Sequence, residues 1–420
     1  MKRRAAIVAL LGVVLADCGG GGVSHDGGPD LGGGGVAGGG GMQPGTGGDA
    51  GSGGGAAGTG GIGGGHATGG AIGTGGGHAT GGIGGGGGAG QAGAAGAAGA
   101  AGTGACTAAS LGAGPLTTSS THQDIGVHDP SMIWDGTRYF LFATGGTLAV
   151  RSSTNLLQWS SAGNIFSATP AWVTTALGSD PGSLWAPDIS YFNCQFHVYY
   201  AGSTFGSNTS VIGLATTPVL DRNKTGYQWT DQGMVVQSKS SDNFNAIDPS
   251  VAFDGDGSPW LAFGSFWTGI KLRQLDPATG KLSTGNTTTY AIAGRGNGGA
   301  IEAASIVSHN GFYYLFVSFD ACCKGVDSTY RTMVGRAPAI TGPYTDKAGK
   351  NMTSGAAEQL LASSGRYIGP GGGTAWKNGD SYLYAYHYYD GDDNGASKLA
   401  IRPITFDSTD WPVLGDMLFP

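Results

Sequence analysis

The sequence predicts an all-β fold, a five-bladed β-propeller preceded by a signal peptide and a disordered Gly-rich tether. Three observations carry that reading. One short phrase recurs five times: an acid and a small residue, a few apolar positions, a turn such as Asp-Gly or Asn-Gly, then an aromatic run. The spacing of the copies, roughly 50–70 residues, suits a propeller in which each four-stranded sheet is one blade. After the first hundred or so residues, the apolar segments are short, β-branched and aromatic, and Gly, Asn, Asp and Pro separate them. No long amphipathic helix interrupts them, so the domain reads as strands and turns.

The N-terminus comes first. Lys2-Arg3-Arg4 followed by the apolar run Ala5 to Leu15 has the shape of a secretory signal and is too short for a stable membrane span. Leu15-Ala16-Asp17-Cys18 resembles a bacterial lipoprotein cleavage box, with Asp17 standing where a small residue is usual. A signal peptide over 1–18 with a lipid anchor at Cys18 is therefore expected, the alternative being plain secretion. The mature protein would be a cell-surface or outer-membrane lipoprotein, or secreted. Residues 19–106 are a Gly/Ala-rich linker with few large side chains; much of the chain's 86 glycines lies there. Such a segment cannot bury enough apolar surface to offset its chain entropy. His66 and His78 fall in repeated Gly-Gly-His-Ala-Thr units and read as low-complexity repetition, not as a metal site.

Residues 107–420 form the globular domain. The formal charge of −7 and the lack of a Lys/Arg cluster in this domain exclude a nucleic-acid footprint. The cysteines show no C-x-x-C metal spacing. Cys106 and Cys194 are a candidate disulfide in an oxidising compartment, and adjacent Cys322-Cys323 reads as loop packing.

The phrases open at Val127-His128-Asp129, Trp185-Ala186-Pro187-Asp188, Asn245-Ala246-Ile247-Asp248, Ile301-Glu302 and Gly369-Pro370-Gly371-Gly372-Gly373. An acid at one strand start is usually a solvated turn or a cap. Four acids at one equivalent position of a cyclic repeat would instead meet around one end of the central channel. Clustered carboxylates bind metal ions or act as a general acid and base. Trp185, Phe205, Phe266, Trp267 and Tyr388 lie beside the phrases and are candidate platforms for sugar rings, although most aromatics here are core filling.

Taken together these residues resemble the family 43 glycoside hydrolases, and within them the endo-acting 1,5-α-L-arabinanases. The resemblance spans roughly residues 125–416. It rests on the acidic phrases with Ser203-Thr204-Phe205-Gly206, Gly264-Ser265-Phe266-Trp267, Cys322-Cys323-Lys324-Gly325, Ser328-Thr329-Tyr330-Arg331, Gly342-Pro343-Tyr344 and His387-Tyr388-Tyr389-Asp390. It implies a five-bladed propeller and inverting endo-hydrolysis of arabinan or arabino-oligosaccharides. By the same resemblance Asp129 is the general base, Glu302 the general acid and Asp248 the residue that orients the acid and tunes its pKa. Inversion needs acid and base about 6.5–9.5 Å apart, with a water between, and a third carboxylate nearby raises the acid's pKa. Substrate contacts are implied at Asp129, Gly206, Asn245, Ala246, Ile247, Asp248, Ser265, Phe266 and Trp267. A Ca2+ ion is implied in the channel, held by His387 and waters.

Asp188 has no catalytic match and is expected to be structural. Gly371-Gly372-Gly373 stands where relatives often carry a His, which is expected to loosen the subsites or the surroundings of the ion. The chain ending at Pro420 is expected to be the compact form without a further C-terminal β-domain, and a monomer. Three alternatives stay open: an exo-acting arabinofuranosidase or xylosidase of the same family, a non-catalytic carbohydrate-binding propeller, and a protein-binding scaffold. The complete Asp129, Asp248 and Glu302 set speaks against the last two.

Overall fold

A computed structural model describes residues 106–419. The expected signal peptide and the Gly-rich linker up to residue 105, with Cys18, His66 and His78, lie outside the described residues. Among these residues, twenty strands form five antiparallel four-stranded sheets, each built from four strands consecutive in sequence. Blade 1 contains β1 (Ser131–Trp134), β2 (Tyr139–Phe142), β3 (Ala149–Ser153) and β4 (Ser160–Asn164). Blade 2 contains β5 (Trp185–Phe192), β6 (Gln195–Gly202), β7 (Ser210–Thr217) and β8 (Thr230–Ser238). Blade 3 contains β9 (Ser250–Phe253), β10 (Pro259–Phe263), β11 (Ile270–Gln274) and β12 (Tyr290–Ala293). Blade 4 contains β13 (Ile301–His309), β14 (Phe312–Phe319), β15 (Arg331–Ala337) and β16 (Glu358–Leu361). Blade 5 contains β17 (Tyr367–Asn378), β18 (Ser381–Asp390), β19 (Ala396–Phe406) and β20 (Pro412–Leu414). The α-helix among the described residues, α1 (Ala171–Leu177), is a seven-residue piece between blades 1 and 2.

The turn chemistry sets the hairpins. In blade 4, His309 pairs with Phe312 across Asn310-Gly311, whose φ values of 46° and 79° are those of a two-residue type I′ turn. Asp135 accepts the backbone N–H groups of Thr137 and Arg138, which closes the turn between β1 and β2. In blade 2 the same two-residue turn falls on Asn193-Cys194, without a glycine, and the Cys106–Cys194 disulfide ties it to the start of the described chain.

Each second strand is buried on both faces, which explains the unbroken aromatic runs. Alternation along β2 sends Tyr139 and Leu141 toward blade 5, and Phe140 and Phe142 toward blade 2. Five apolar clusters result, one at each seam between neighbouring blades. Each large side chain buried there contributes about 1.5–3 kcal/mol. The ring closes without a strand shared between blades 5 and 1. The Asn378 side chain accepts the Gly114 N–H and donates to the Gly114 carbonyl, both at 2.8 Å. Leu399 N–H donates to the Ile125 carbonyl at 3.2 Å.

Candidate active site

Every innermost strand begins with the same break. Asp129, Ala186, Asp248, Ala303 and Gly372 all have left-handed backbone, with φ between 39° and 58°. In blades 2, 4 and 5 the pairing register shifts there, between Trp185 and Asp188, Glu302 and Ser305, and Gly371 and Thr374. This is a β-bulge, which re-aims side chains at a strand end. A narrow cavity of about 20 Å³ opens at the break, enough for about one water. All five blades line it, through Asp129, Ala186, Asp248, Ala303 and Gly372 among others.

The bulge corrects the reading that four acids share one repeat position. Asp129 and Asp248 do share it, on the left-handed residue itself. Glu302 stands one residue earlier, level with His128, Trp185, Ile247 and Gly371. Asp188 stands two residues later, level with Ser131, Ser250, Ser305 and Thr374. The extra bulge residue makes these offsets invisible to simple alignment of the phrases. Asp188 is buried between blades, where it accepts the Ser131 hydroxyl at 3.1 Å and the Val251 N–H at 2.8 Å. It links three blades, and burial pushes its carboxyl up to about 7.

Asp129 lies against a cationic partner. His128 Nδ1 is 2.9 Å from Asp129 Oδ2, and the Thr144 hydroxyl donates to the same oxygen at 2.7 Å. His128 is fixed in turn by Tyr389, whose hydroxyl is 2.8 Å from Nε2, and by its stack on His387 at 3.7 Å between ring centroids. Burial alone would raise the Asp129 carboxyl, but the charge and hydrogen bond of His128 bring it below the ordinary value. The carboxylate reciprocates: burial would lower His128, yet Asp129 holds it well above the ordinary histidine value.

Glu302 has the opposite surroundings. Its Oε2 accepts the Ser265 hydroxyl at 2.7 Å and its Oε1 the Tyr330 hydroxyl at 2.9 Å, both neutral donors. Burial pushes this carboxyl up to about 7, with the charge of Asp129 adding to the rise and the two hydroxyls opposing it. Asp248 accepts the Ala303 N–H at 3.0 Å, which ties it to the residue after Glu302. Burial, then Glu302, then Asp129 raise Asp248 well above the ordinary carboxyl range. Three carboxyls in one poorly solvated mouth resist joint ionisation near neutrality, so the protonation of Asp248 and that of Glu302 are linked.

The structure places the other predicted contact residues as follows. Ser265 is buried and spends its hydroxyl on Glu302. Phe266 is exposed and Trp267 half-buried, on a strained left-handed pair with φ of 49° and 35°. Gly206 lies on an exposed loop after β6, with φ of 74° and open space where a Cβ would be. Asn245, Ala246 and Ile247 are buried: Asn245 accepts the Ser210 hydroxyl at 2.7 Å, and Ala246 donates its N–H to Ser238. Within that stretch, Asp248 is the residue that lines the cavity. Trp185 and exposed Phe205 meet edge to face at 6.1 Å. Tyr388 is not a platform; it is buried in the seam between blades 4 and 5, against Tyr367.

Gly371-Gly372-Gly373 does not loosen the site. A Cβ at 371 would lie 2.4 Å from the Tyr330 ring, one at 372 would lie 2.5 Å from both Asp129 Oδ1 and His387 Cε1, and one at 373 would lie 2.4 Å from the Tyr384 ring. The glycines let Tyr330, Asp129 and His387 close on the backbone.

His387 is fully buried, and its Nε2 has no hydrogen-bond partner in the protein. Burial, then the His128 charge, lower it to about 3, so the ring is neutral. Its Nδ1 accepts the Asp129 N–H at 3.2 Å and lies 3.7 Å from Asp129 Oδ1. A cation on Nε2 would need the ring proton moved to Nδ1, which would then give up the Asp129 N–H and face that carboxylate, the usual arrangement behind a ligating imidazole. The residues therefore fit an ion held by one imidazole and otherwise by water, although not an all-protein calcium cage.

Four contributors to the site had no assigned role in the sequence: His128, Thr144, Tyr330 and Tyr389. His128, Tyr330 and Tyr389 sit inside the motifs named above, and an ionisable or hydroxyl-bearing residue within such a motif is the signal that would have found them. Thr144 lies just beyond β2, outside every motif, and only the three-dimensional arrangement reveals it.

The family model for glycosyl hydrolases family 43 matches residues 124–412. The extracellular endo-α-(1→5)-L-arabinanase 1 of Bacillus subtilis is 43% identical over 319 residues, spanning 73% of this chain and 95% of the relative. The extracellular exo-α-(1→5)-L-arabinofuranosidase of Cellvibrio japonicus is 36% identical over 304 residues, spanning 69% and 86%. The solved structure of Cellvibrio cellulosa α-L-arabinanase complexed with arabinohexaose superposes with a TM-score of 0.68 at 34% identity, covering 70% of this chain and 96% of that one. With the propeller and the acidic mouth in place, the match over most of the described domain settles the family: the chain belongs to glycosyl hydrolases family 43.

Proposed function

We propose that this protein is an exported endo-1,5-α-L-arabinanase that cuts arabinan with inversion. Asp129 is the base that removes a proton from the attacking water. Glu302 is the acid that protonates the leaving glycosidic oxygen. Asp248, itself raised by burial and by the charge of Glu302, competes with the acid for a shared proton and so tunes its pKa, and through the Ala303 N–H it fixes the strand that carries it. The observation that carries this reading is the opposite surroundings of the two carboxyls. Asp129 is held ionised by His128, whereas Glu302 is raised to about 7 among neutral donors and other acids. Two carboxyls whose environments push their pKa values apart are an acid and base pair.

Arabinan is favoured as substrate by the similarity to the Bacillus subtilis endo-arabinanase and to the arabinohexaose complex. Both curated relatives named above are extracellular, in keeping with the signal-like N-terminus. The Cellvibrio japonicus relative makes exo action the second reading. Linear debranched arabinan digested by the protein should give mixed short oligosaccharides and, by early proton NMR, products of inverted configuration. Stepwise release of a single product size from chain ends would replace endo with exo action, and retained configuration would overturn the mechanism. Ca2+ at His387 is part of the proposal: bound there, it would supply positive charge beside Asp129. Lipidation at Cys18 is proposed as the anchor, tested by palmitate labelling that Cys18→Ala abolishes.

A further inference from the structure

Cys322 and Cys323 lie beside the catalytic mouth, and the reaction proposed above uses neither. They follow β14, on the loop that carries the chain past Glu302, and both are half-buried. Cys323 Sγ is 3.7 Å from His128 Nε2. The ligand atoms of His128, Cys322 and Cys323 all lie within 4.8 Å of one another. In a tetrahedral zinc site, with bonds of about 2.3 Å to sulfur and about 2.0 Å to nitrogen, ligand atoms stand about 3.5–3.8 Å apart. The Cys323–His128 pair already matches. The remaining gap closes by about 1 Å, within reach of side-chain rotation.

The chemistry of the donors selects the ion. Two sulfurs and an imidazole nitrogen are a soft set that prefers zinc-like cations over calcium or magnesium. The surroundings favour a cation as well: the Cys323 hydrogen bond and burial, then the charges of Glu302 and Asp129, oppose a bare thiolate at Cys322 and so favour one neutralised by a metal. The His128 ring is held in place before binding by its stack on His387 and by Asp129 at Nδ1, which leaves Nε2 as the nitrogen a metal would take from Tyr389. A ligating imidazole backed by a carboxylate is the usual support for such an ion.

We propose that Cys322, Cys323 and His128 form a binding site for a thiophilic divalent cation, of which Zn2+ is the type, and that its occupation inhibits hydrolysis. Coordination forms two metal–sulfur bonds and one metal–nitrogen bond and releases three protons to solvent, one from each thiol and one from Nε2 of the His128 imidazolium. The fourth position stays with water. A dication set there favours the ionised form of both nearby carboxyls and so drains the proton that Glu302 has to give. The inhibitory half rests on Glu302 being the acid; the binding half does not.

The test uses the full-length protein, wild type against the Cys322→Ser, Cys323→Ser double variant. Cd2+ titration should give an ultraviolet thiolate-to-metal charge-transfer band that saturates at one ion per chain in the wild type and is missing in the variant. Zn2+ should inhibit arabinan hydrolysis by the wild type, reversibly with EDTA. The variant should hydrolyse at a near wild-type rate and need at least tenfold more Zn2+ for the same inhibition. Zn2+ should also protect Cys322 and Cys323 in the wild type from alkylation, read by peptide mass spectrometry, which keeps the test sound if the variant folds poorly. The site is overturned by an equal band in both proteins, by no band in the wild type, by alkylation indifferent to Zn2+, or by thiol titration that finds the two cysteines already joined to each other. A normal band with undiminished hydrolysis overturns the inhibitory half and leaves the proposed reaction standing.

Discussion

Replacing Tyr330 with Phe isolates the proton inventory of the mouth. The Tyr330 hydroxyl donates to Glu302 Oε1 at 2.9 Å, and this bond is strongest when Glu302 is ionised. The Phe ring keeps the packing against the Gly371 backbone and the tilted contact with His387. A hydrogen bond to a charged group contributes about 1.5–3 kcal/mol, part of which survives against the protonated carboxyl. The difference is on the order of 1.4 kcal/mol, or about one pKa unit. The sign follows from what the acid must hold. Glu302 acts protonated, so activity falls as the pH rises through its pKa of about 7. Tyr330→Phe removes a contact that lowers that pKa, so the alkaline limb of the kcat/KM profile should move up by about one unit. The acid limb, set by Asp129, should stay in place. The assay is kcat/KM on debranched arabinan across pH, with circular dichroism at each pH to confirm folding. An alkaline limb that stays put or moves down would refute the assignment of Glu302 as the acid whose proton these hydroxyls control.

Glu302→Gln should lower kcat on arabinan by about 10²–10⁴-fold with little change in KM, measured by reducing-end release. The same variant should melt higher at pH 8 and match the wild type near pH 4. The folded Glu302 pKa is raised from 4.5 to about 7, so ionising it costs stability progressively between those values, up to about 3 kcal/mol above them; equal melting temperatures at both pH values would contradict the burial argument. Asp188→Ala should destabilise by about 2–4 kcal/mol in urea unfolding, because the Val251 N–H and the Ser131 hydroxyl lose their shared partner. His387→Ala should reduce calcium retained after gel filtration, by elemental analysis, and reduce activity with it; unchanged metal content would remove His387 from the ion site.

The blade count and the presence of the acids near the mouth were legible because both rest on short-range pattern. Asn310-Gly311 and Asp135-Gly136 announce hairpins by their backbone requirements, and β2 announces a doubly buried strand by Tyr139-Phe140-Leu141-Phe142. The register of the acids was not legible. A bulge changes which neighbour faces the channel without changing the composition of the phrase, so Glu302 and Asp129 looked equivalent when they are one residue apart in register. The resemblance implies contacts at Asn245 to Ile247; in the structure all three are buried, with Asn245 on the Ser210 hydroxyl and Ala246 on Ser238. The glycine run of blade 5 read as slack, since sequence shows what is missing from a glycine and not what fills its place. Tyr330 and His387 occupy that space.

The same offset explains how one repeat yields an acid and a base. A carboxyl on the left-handed residue, as at Asp129, follows directly after the residue level with Glu302, and in blade 1 that residue is His128. Its imidazole therefore meets Asp129 across a single peptide bond and keeps it charged. In blade 4 the acid itself takes the earlier position and the left-handed residue is Ala303, so no cation can stand next to it by that route. What reaches Glu302 comes instead from Ser265 of blade 3 and Tyr330 of its own blade, both hydroxyls. Blade 3 repeats the geometry of blade 1 at Asp248 but places Ile247 where blade 1 has His128. Without an imidazole beside it Asp248 feels only the weaker pull of His128, and it rises with Glu302 instead of falling with Asp129. Installing the imidazole by Ile247→His should therefore pull Asp248 toward the ionised form, leave the shared proton more firmly on Glu302, and carry the alkaline limb of kcat/KM upward. A limb displaced downward would show that the residue before the left-handed position does not set the charge of the acid that follows it.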